Sequence, residues 1–216
     1  MAVADPAISL DDQQHIVLDD VSWGFYEQLL AEIGDRHIRV TYDDGRLEIM
    51  SPLFTHELYG DWIGRLIELI CLELSMPVTG AGSTTFAVRK EKKGLEPDKC
   101  FYFRNAEAAA KYRGRFNPKI HAAPELAVEI DITSPSIPRE PIYAALGVPE
   151  LWRFDGERLQ VLHLLKGRYV ERASSLAFPF LPISEFEKFV LRMTEPGQLH
   201  VTRQFRDWIN NLPKRK

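Results

Sequence analysis

Leu126-Ala127-Val128-Glu129-Ile130-Asp131-Ile132 is a run of seven residues with five apolar side chains and two carboxylates. A strand with one wet face alternates apolar and polar positions, whereas this run leaves almost no polar face, so it reads as a central strand covered on both sides. Glu129 and Asp131 are two apart and therefore point to the same face. Desolvating an ionised carboxylate costs several kcal/mol unless it is paired or coordinates a cation. A hard divalent ion would meet that need, and so would an Arg partner; the residues of the run leave both open.

Downstream, Ser136 is a candidate cap for a brief helix containing Tyr143, Ala144 and Leu146, closed by Gly147 and Pro149. Leu151 to Phe154, Arg158 to Leu164 and Arg168 to Arg172 follow as three strands joined at Asp155-Gly156 and Lys166-Gly167, an antiparallel meander. Ser184 with Glu187 has the spacing of a capping box, and Gln198 to Asn210 reads as a last helix. Tyr143 and Trp152 occupy apolar-periodic positions and read as core, and Ser134 as a turn residue.

Upstream, Trp23, Tyr26, Leu29, Leu30 and Ile33 recur at helical steps and Gly34 supplies a stop. Ile38 to Tyr42 and Arg46 to Met50 flank Asp43-Asp44-Gly45, which marks a hairpin. Thr55 is a candidate cap for a long helix to about Leu74, whose stripe Leu58, Trp62, Leu66, Leu69 and Ile70 should pack on a sheet. Short strands are expected near Val78 and Phe86 and from Asp98 to Phe103, with a short helix at Ala106 to Tyr112. The order gives an α/β or α+β fold with a mixed sheet flanked by helices.

At 216 residues with 45% hydrophobic content the chain can bury one sizeable core. We expect an acidic, poorly ordered segment over residues 1–20, which hold five Asp and no Lys or Arg, and a single domain over 21–216. No apolar run approaches the roughly 20 residues that cross a bilayer, no signal-peptide pattern opens the chain, and Cys71 and Cys100 have no paired spacing. A cytoplasmic protein without a membrane partner is the expectation. P-loop, dinucleotide-fold, zincin and nucleophile-elbow motifs are absent, and the six histidines are scattered without ligand spacing.

The net charge of −4 argues against a protein that coats nucleic acid indiscriminately. Between Arg89 and Lys119, however, ten Lys/Arg stand against four Asp/Glu. That segment is either a solvated face or a patch for a phosphate backbone.

Glu96-Pro97-Asp98 opening one strand, followed some thirty residues later by an apolar strand bearing Glu129, resembles the PD-(D/E)XK nuclease superfamily. Three blocks carry a closer likeness: G-R-L-E-I-M-S-P-L-F-T-H-E over 45–57, G-L-E-P-D-K-C-F-Y over 94–102, and P-E-L-A-V-E-I-D-I-T-S-P-S with I-Y-A-A-L-G-V-P-E-L-W over 124–152. Over roughly residues 20 to 190 the chain resembles the Uma-two family of that superfamily. The resemblance implies a restriction-endonuclease-like fold, Mg²⁺ (or Mn²⁺) as cofactor, DNA as substrate, and Asp98 and Glu129 as metal ligands. Glu57 matches the acidic residue that many members carry on the first core helix; a plain polar helix face shared with Asp61 and Arg65 is the alternative. The motif's lysine should fall at position 131, where this chain has Asp131.

A cation is needed there to orient the attacking water or to stabilise charge on the phosphate. Arg139 and Lys99 are the candidates for its relocation, and alternation, which turns Lys99 away from Asp98, favours Arg139. Asp131 is then a third metal ligand or the mark of a chain that no longer cuts. Lys90, Lys92, Lys93, Lys111 and Arg115 are the candidate backbone contacts. Cutting both strands would be easiest for a homodimer. Two other readings stand beside the endonuclease: a nuclease-fold module that binds nucleic acid or protein without cleavage, and a carboxylate pair serving a glycosidase.

Overall fold

The computed structural model describes residues 15–34, 36, 38–132 and 136–212. In chain order the strands and helices are β1 (His15–Leu18), α1 (Trp23–Ile33), β2 (Arg39–Asp43), β3 (Arg46–Met50), α2 (Phe54–Glu73), β4 (Thr79–Gly80), β5 (Phe86–Val88), β6 (Lys93–Leu95) and β7 (Lys99–Tyr102). They continue with α3 (Ala106–Ala109), β8 (Leu126–Ile130), α4 (Glu140–Leu146), β9 (Glu150–Phe154), β10 (Leu159–Leu165), β11 (Arg168–Glu171), α5 (Ile183–Leu191) and α6 (Gln198–Asn210).

The strands form two sheets, an arrangement the chain order alone did not separate. One has the order β1-β3-β2-β6-β5 and the other β11-β10-β9-β8-β7-β4. Their pairings are antiparallel except β8 with β9, so the fold is α+β with one mixed sheet. The chain crosses from the first sheet to the second between β6 and β7, at Glu96-Pro97-Asp98. Proline, which has no N–H to offer a ladder, suits a place where pairing is handed over.

All five residues of β8 are buried, as its apolar run requires. One face packs with the Trp62, Ile63, Leu66 and Ile70 stripe of α2, and α5 and α6 join the same cluster through Phe186, Phe205 and Ile209. The other meets Ile142 and Tyr143 of α4 and Leu95 of β6. Each such side chain contributes about 1.5–3 kcal/mol on burial, which fixes the helices over the strand that carries Glu129. A third cluster places Tyr26 of α1 on Val40, Tyr42 and Leu47.

The β2–β3 hairpin turns at Asp44 (φ 42°) and Gly45 (φ 101°), the paired positive φ of a tight hairpin turn. Gly34 (φ 58°) ends α1, and α6 has the bounds expected of it. The expected caps differ. α2 begins one residue before Thr55, behind Leu53, which makes no side-chain cap. Ser136 lies short of α4, its N–H donating to Glu48 Oε1 at 2.9 Å, and Arg139 holds the N-cap position. Glu187 reaches the Leu159 N–H at 2.7 Å instead of closing a capping box with Ser184. Within the stretch expected as an acidic lead-in, His15–Leu18 pairs with β3 as an edge strand, largely exposed. Residues 1–14, with His37 and Ser134, lie outside the described residues.

Candidate functional site

Extending the β7–β8 register by one residue past the Lys99–Val128 pair sets Asp98 opposite Glu129. Asp98 sits just before β7 rather than within it, and its Oδ2 accepts from the Ile130 N–H at 2.7 Å. That bond stitches the turn to β8 and leaves the carboxylate at the meeting point of the two sheets. Asp98 is 2% exposed and Glu129 1%.

Each acid has its own cations. Arg39, from β2, donates to Pro97 O at 2.7 Å and to Glu57 Oε1 at 2.9 Å, and lies 3.4 Å from Asp98 Oδ1. His56, in the first turn of α2, puts Nε2 3.2 Å from Asp98 Oδ2 and Nδ1 3.7 Å from Glu57 Oε1. Arg139 donates to Glu129 Oε2, and the Tyr143 hydroxyl, one turn along α4, donates to Glu129 Oε1. Asp131 Oδ2 accepts from Arg153 Nε at 2.7 Å, and the other arm of that guanidinium bonds Glu140.

The electrostatics follow from burial and these partners. Burial opposes a charged His56, but Asp98 and Glu57 outweigh it and raise the imidazole to about 9. His56 and Arg39 hold Glu57 down at about 2 against its partial burial. Asp98 is fully buried, yet His56, Arg39 and Arg139 keep it below the ordinary carboxylate range. Burial pushes Glu129 up to about 7, with Asp98 and Asp131 adding and Arg139 opposing. The inner cluster thus holds Arg39, His56 and Arg139 against Glu57, Asp98 and Glu129.

Of the residues named from the sequence, Glu57, Asp98, Glu129 and Arg139 come together, and Asp131 joins through Arg153. Lys99 turns to Asp61 of α2. Lys92 and Lys93 are taken up by Asp44 and Asp43 of the β2–β3 turn, while Lys90, Lys111 and Arg115 are exposed. Arg39, His56 and Tyr143 were not read as site residues. An Arg inside the apolar strand Ile38 to Tyr42 was a usable signal for the first. For His56, its place beside Glu57 in the matching block was the only pointer.

Whether a hard divalent ion suits this cluster can be judged from its oxygens. Asp98 Oδ1 is buried and accepts no hydrogen bond among the described residues, an unusual state for a carboxylate oxygen. Glu129 accepts one hydrogen bond at each oxygen, so lone pairs remain. Among the described residues no three His, Cys, Asp or Glu side chains are grouped to hold a metal. Asp98 and Glu129 are two carboxylates, in line with the one or two that Mg²⁺ takes alongside water and phosphate oxygens. The residues fit the ion in type and number.

A family model described as "Putative restriction endonuclease" matches residues 23–194, which include every residue of this cluster. No curated protein matches the chain. Among the described residues no helix is long and apolar enough to cross a membrane.

Proposed function

The chain belongs to the Uma2 family of the PD-(D/E)XK superfamily, and on that premise we propose that it is a divalent-metal-dependent endonuclease hydrolysing DNA phosphodiester bonds. The observation that carries this reading is the buried juxtaposition of Asp98 and Glu129, with Asp98 Oδ1 left without a hydrogen bond and Arg139 against Glu129.

Asp98 and Glu129 would hold Mg²⁺ or Mn²⁺. Such an ion polarises a phosphate and lowers the pKa of a bound water. The chain's own groups supply the rest. Three cations balance three carboxylates in the inner cluster, so a divalent charge added to it leaves the site net positive, as an incoming phosphodiester requires. Arg139 takes the part of the missing lysine: it is charged at any working pH and stands against Glu129, where its positive charge offsets charge developing on a phosphate. His56 and Arg39 keep Asp98 ionised and fix its rotamer. Glu57, held by both, supports that pair and does not need to touch the ion. Exposed Lys90, Lys111 and Arg115 contribute phosphate contacts outside the cluster, and a homodimer would present two sites to the two strands.

Cleavage of supercoiled and single-stranded DNA in Mg²⁺, Mn²⁺ and EDTA tests the reading. The second reading, a module that binds without cutting, is favoured by the protein's own cation on each strand acid: Arg139 on Glu129 and Arg153 on Asp131. A gel shift on DNA together with no Mn²⁺ uptake by calorimetry would decide for it.

A further inference from the structure

Asp131 stands where the superfamily motif has lysine, but its side chain is neither free nor turned to Asp98. It grips Arg153, which lies opposite Glu129 in the parallel β8–β9 register and on the same face of the sheet. The other arm of Arg153 grips Glu140, the first residue of α4. Arg139 immediately precedes Glu140 and accepts the first two bonds of that helix, from the Ile142 and Tyr143 N–H groups, both at 3.0 Å. α4 is only seven residues long and its N-cap side chain makes no capping bond; Pro141 in its first turn favours a helix start there but does not tie that start to the sheet.

Resting on the nuclease reading above, we propose that Asp131 is a positioning residue: with Arg153 and Glu140 it bolts the C-terminal ends of β8 and β9 to the start of α4, and so sets Arg139 on Glu129. The bolt has a second consequence. Arg153 feels the charge of Glu129 as well as those of Asp131 and Glu140. Held by the latter two, it stays off the Glu129 carboxylate and leaves its lone pairs available. The aspartate is thus the counterpart of moving the cation from strand to helix. A lysine at 131 would repel Arg153 and release it.

The test compares wild type with Asp131→Asn, Asp131→Glu, Asp131→Lys and Glu140→Gln in metal-dependent DNA cleavage. Amide hydrogen exchange of Ile142 and Tyr143 is followed in EDTA alongside. We expect D131N and D131K to lower kcat at least tenfold with KM for DNA within about twofold. D131E should keep most of the rate, E140Q should fall between, and exchange at the two amides should speed up at least tenfold in D131N and D131K. A D131K variant more active than wild type would overturn the proposal, since position 131 would then be a vacated lysine site. Unchanged exchange in D131N would overturn it too, as would faster exchange with unchanged kcat. A wild type that never cuts would instead remove the nuclease reading, and the exchange arm would still decide whether Asp131 fixes α4.

Discussion

Arg139 at the head of α4 donates to Glu129 in the middle of the central strand, ten residues back along the chain. The cation that faces the strand carboxylate therefore comes from the helix after the strand and not from the strand itself. Both groups are buried, at 6% and 1% exposure, with the Tyr143 hydroxyl closing the other side of the carboxylate.

Removing the cation should expose how much of the pair's energy is mutual. Arg139→Met leaves Glu129 buried without its guanidinium, which typically costs about 3–5 kcal/mol. Glu129 already holds its proton up to about 7, and without Arg139 it holds it higher still. The loss is therefore larger at pH 8 than at pH 5.5, where the carboxyl is neutral in either protein. Urea unfolding at the two pH values measures it; a loss under 1 kcal/mol at pH 8 would mean the pair is not held as described.

His56 gives the metal-free protein a pH signature. Its folded pKa, about 9, lies above the unfolded value of 6.5. Its contribution is thus fully present below pH 6.5 and lost as pH rises through about 9, on the order of 3 kcal/mol in all. Denaturation in EDTA from pH 7.5 to 9.5, above the range in which Glu129 titrates, should show that decline in wild type and lack it in His56→Gln. An equal decline in both proteins would assign the slope to other groups.

How much of this could be read from residues alone varied with the kind of signal. The apolar run at Leu126 to Ile130 pointed to a buried strand because it is short, contains β-branched Val128 and Ile130, and leaves almost no polar face. Asp44-Gly45 and Gly34 announced their turns because only such residues adopt positive φ cheaply. β6 was hidden: Lys93-Gly94-Leu95 is too short and too charged to show a period, and it is a strand because β2 and β5 flank it. The site split the same way. Asp98 and Glu129 are acids in apolar surroundings and stood out. Tyr143 looked like core, which it also is, and only the fold shows that its hydroxyl ends on Glu129. The serine caps failed because the helices start elsewhere: α4 begins after Arg139, three residues beyond Ser136, and α5 begins after Pro182, which puts Ser184 inside it.

Gly94 is required by a contact that no local pattern announces. A Cβ there would lie 2.2 Å from the Tyr26 hydroxyl oxygen and 2.8 Å from its ring, and Tyr26 is itself fully buried. Gly94→Ala should therefore cost about 1–3 kcal/mol through overpacking, with part recovered in Gly94→Ala/Tyr26→Leu. A single variant as stable as wild type in thermal melting would show that α1 can move off β6 freely.

The exposed cations Lys90, Lys111 and Arg115 should appear in the salt dependence of DNA binding. Changing all three to Ala is expected to reduce the slope of log affinity against log salt by about 2–3, one per lost phosphate contact. Fluorescence anisotropy across 50–200 mM salt reads this directly. An unaltered slope would place the DNA on another face.

The central claim is that Asp98 and Glu129 together hold the ion that cuts DNA. Supercoiled plasmid should be incubated with wild type, Asp98→Asn and Glu129→Gln in Mg²⁺, Mn²⁺ and EDTA, after circular dichroism has shown all three folded. The account predicts nicking by wild type in either metal, none in EDTA, and a loss of at least a hundredfold in each variant. Nicking that persists in the variants, or a folded wild type inert in both metals, would contradict it.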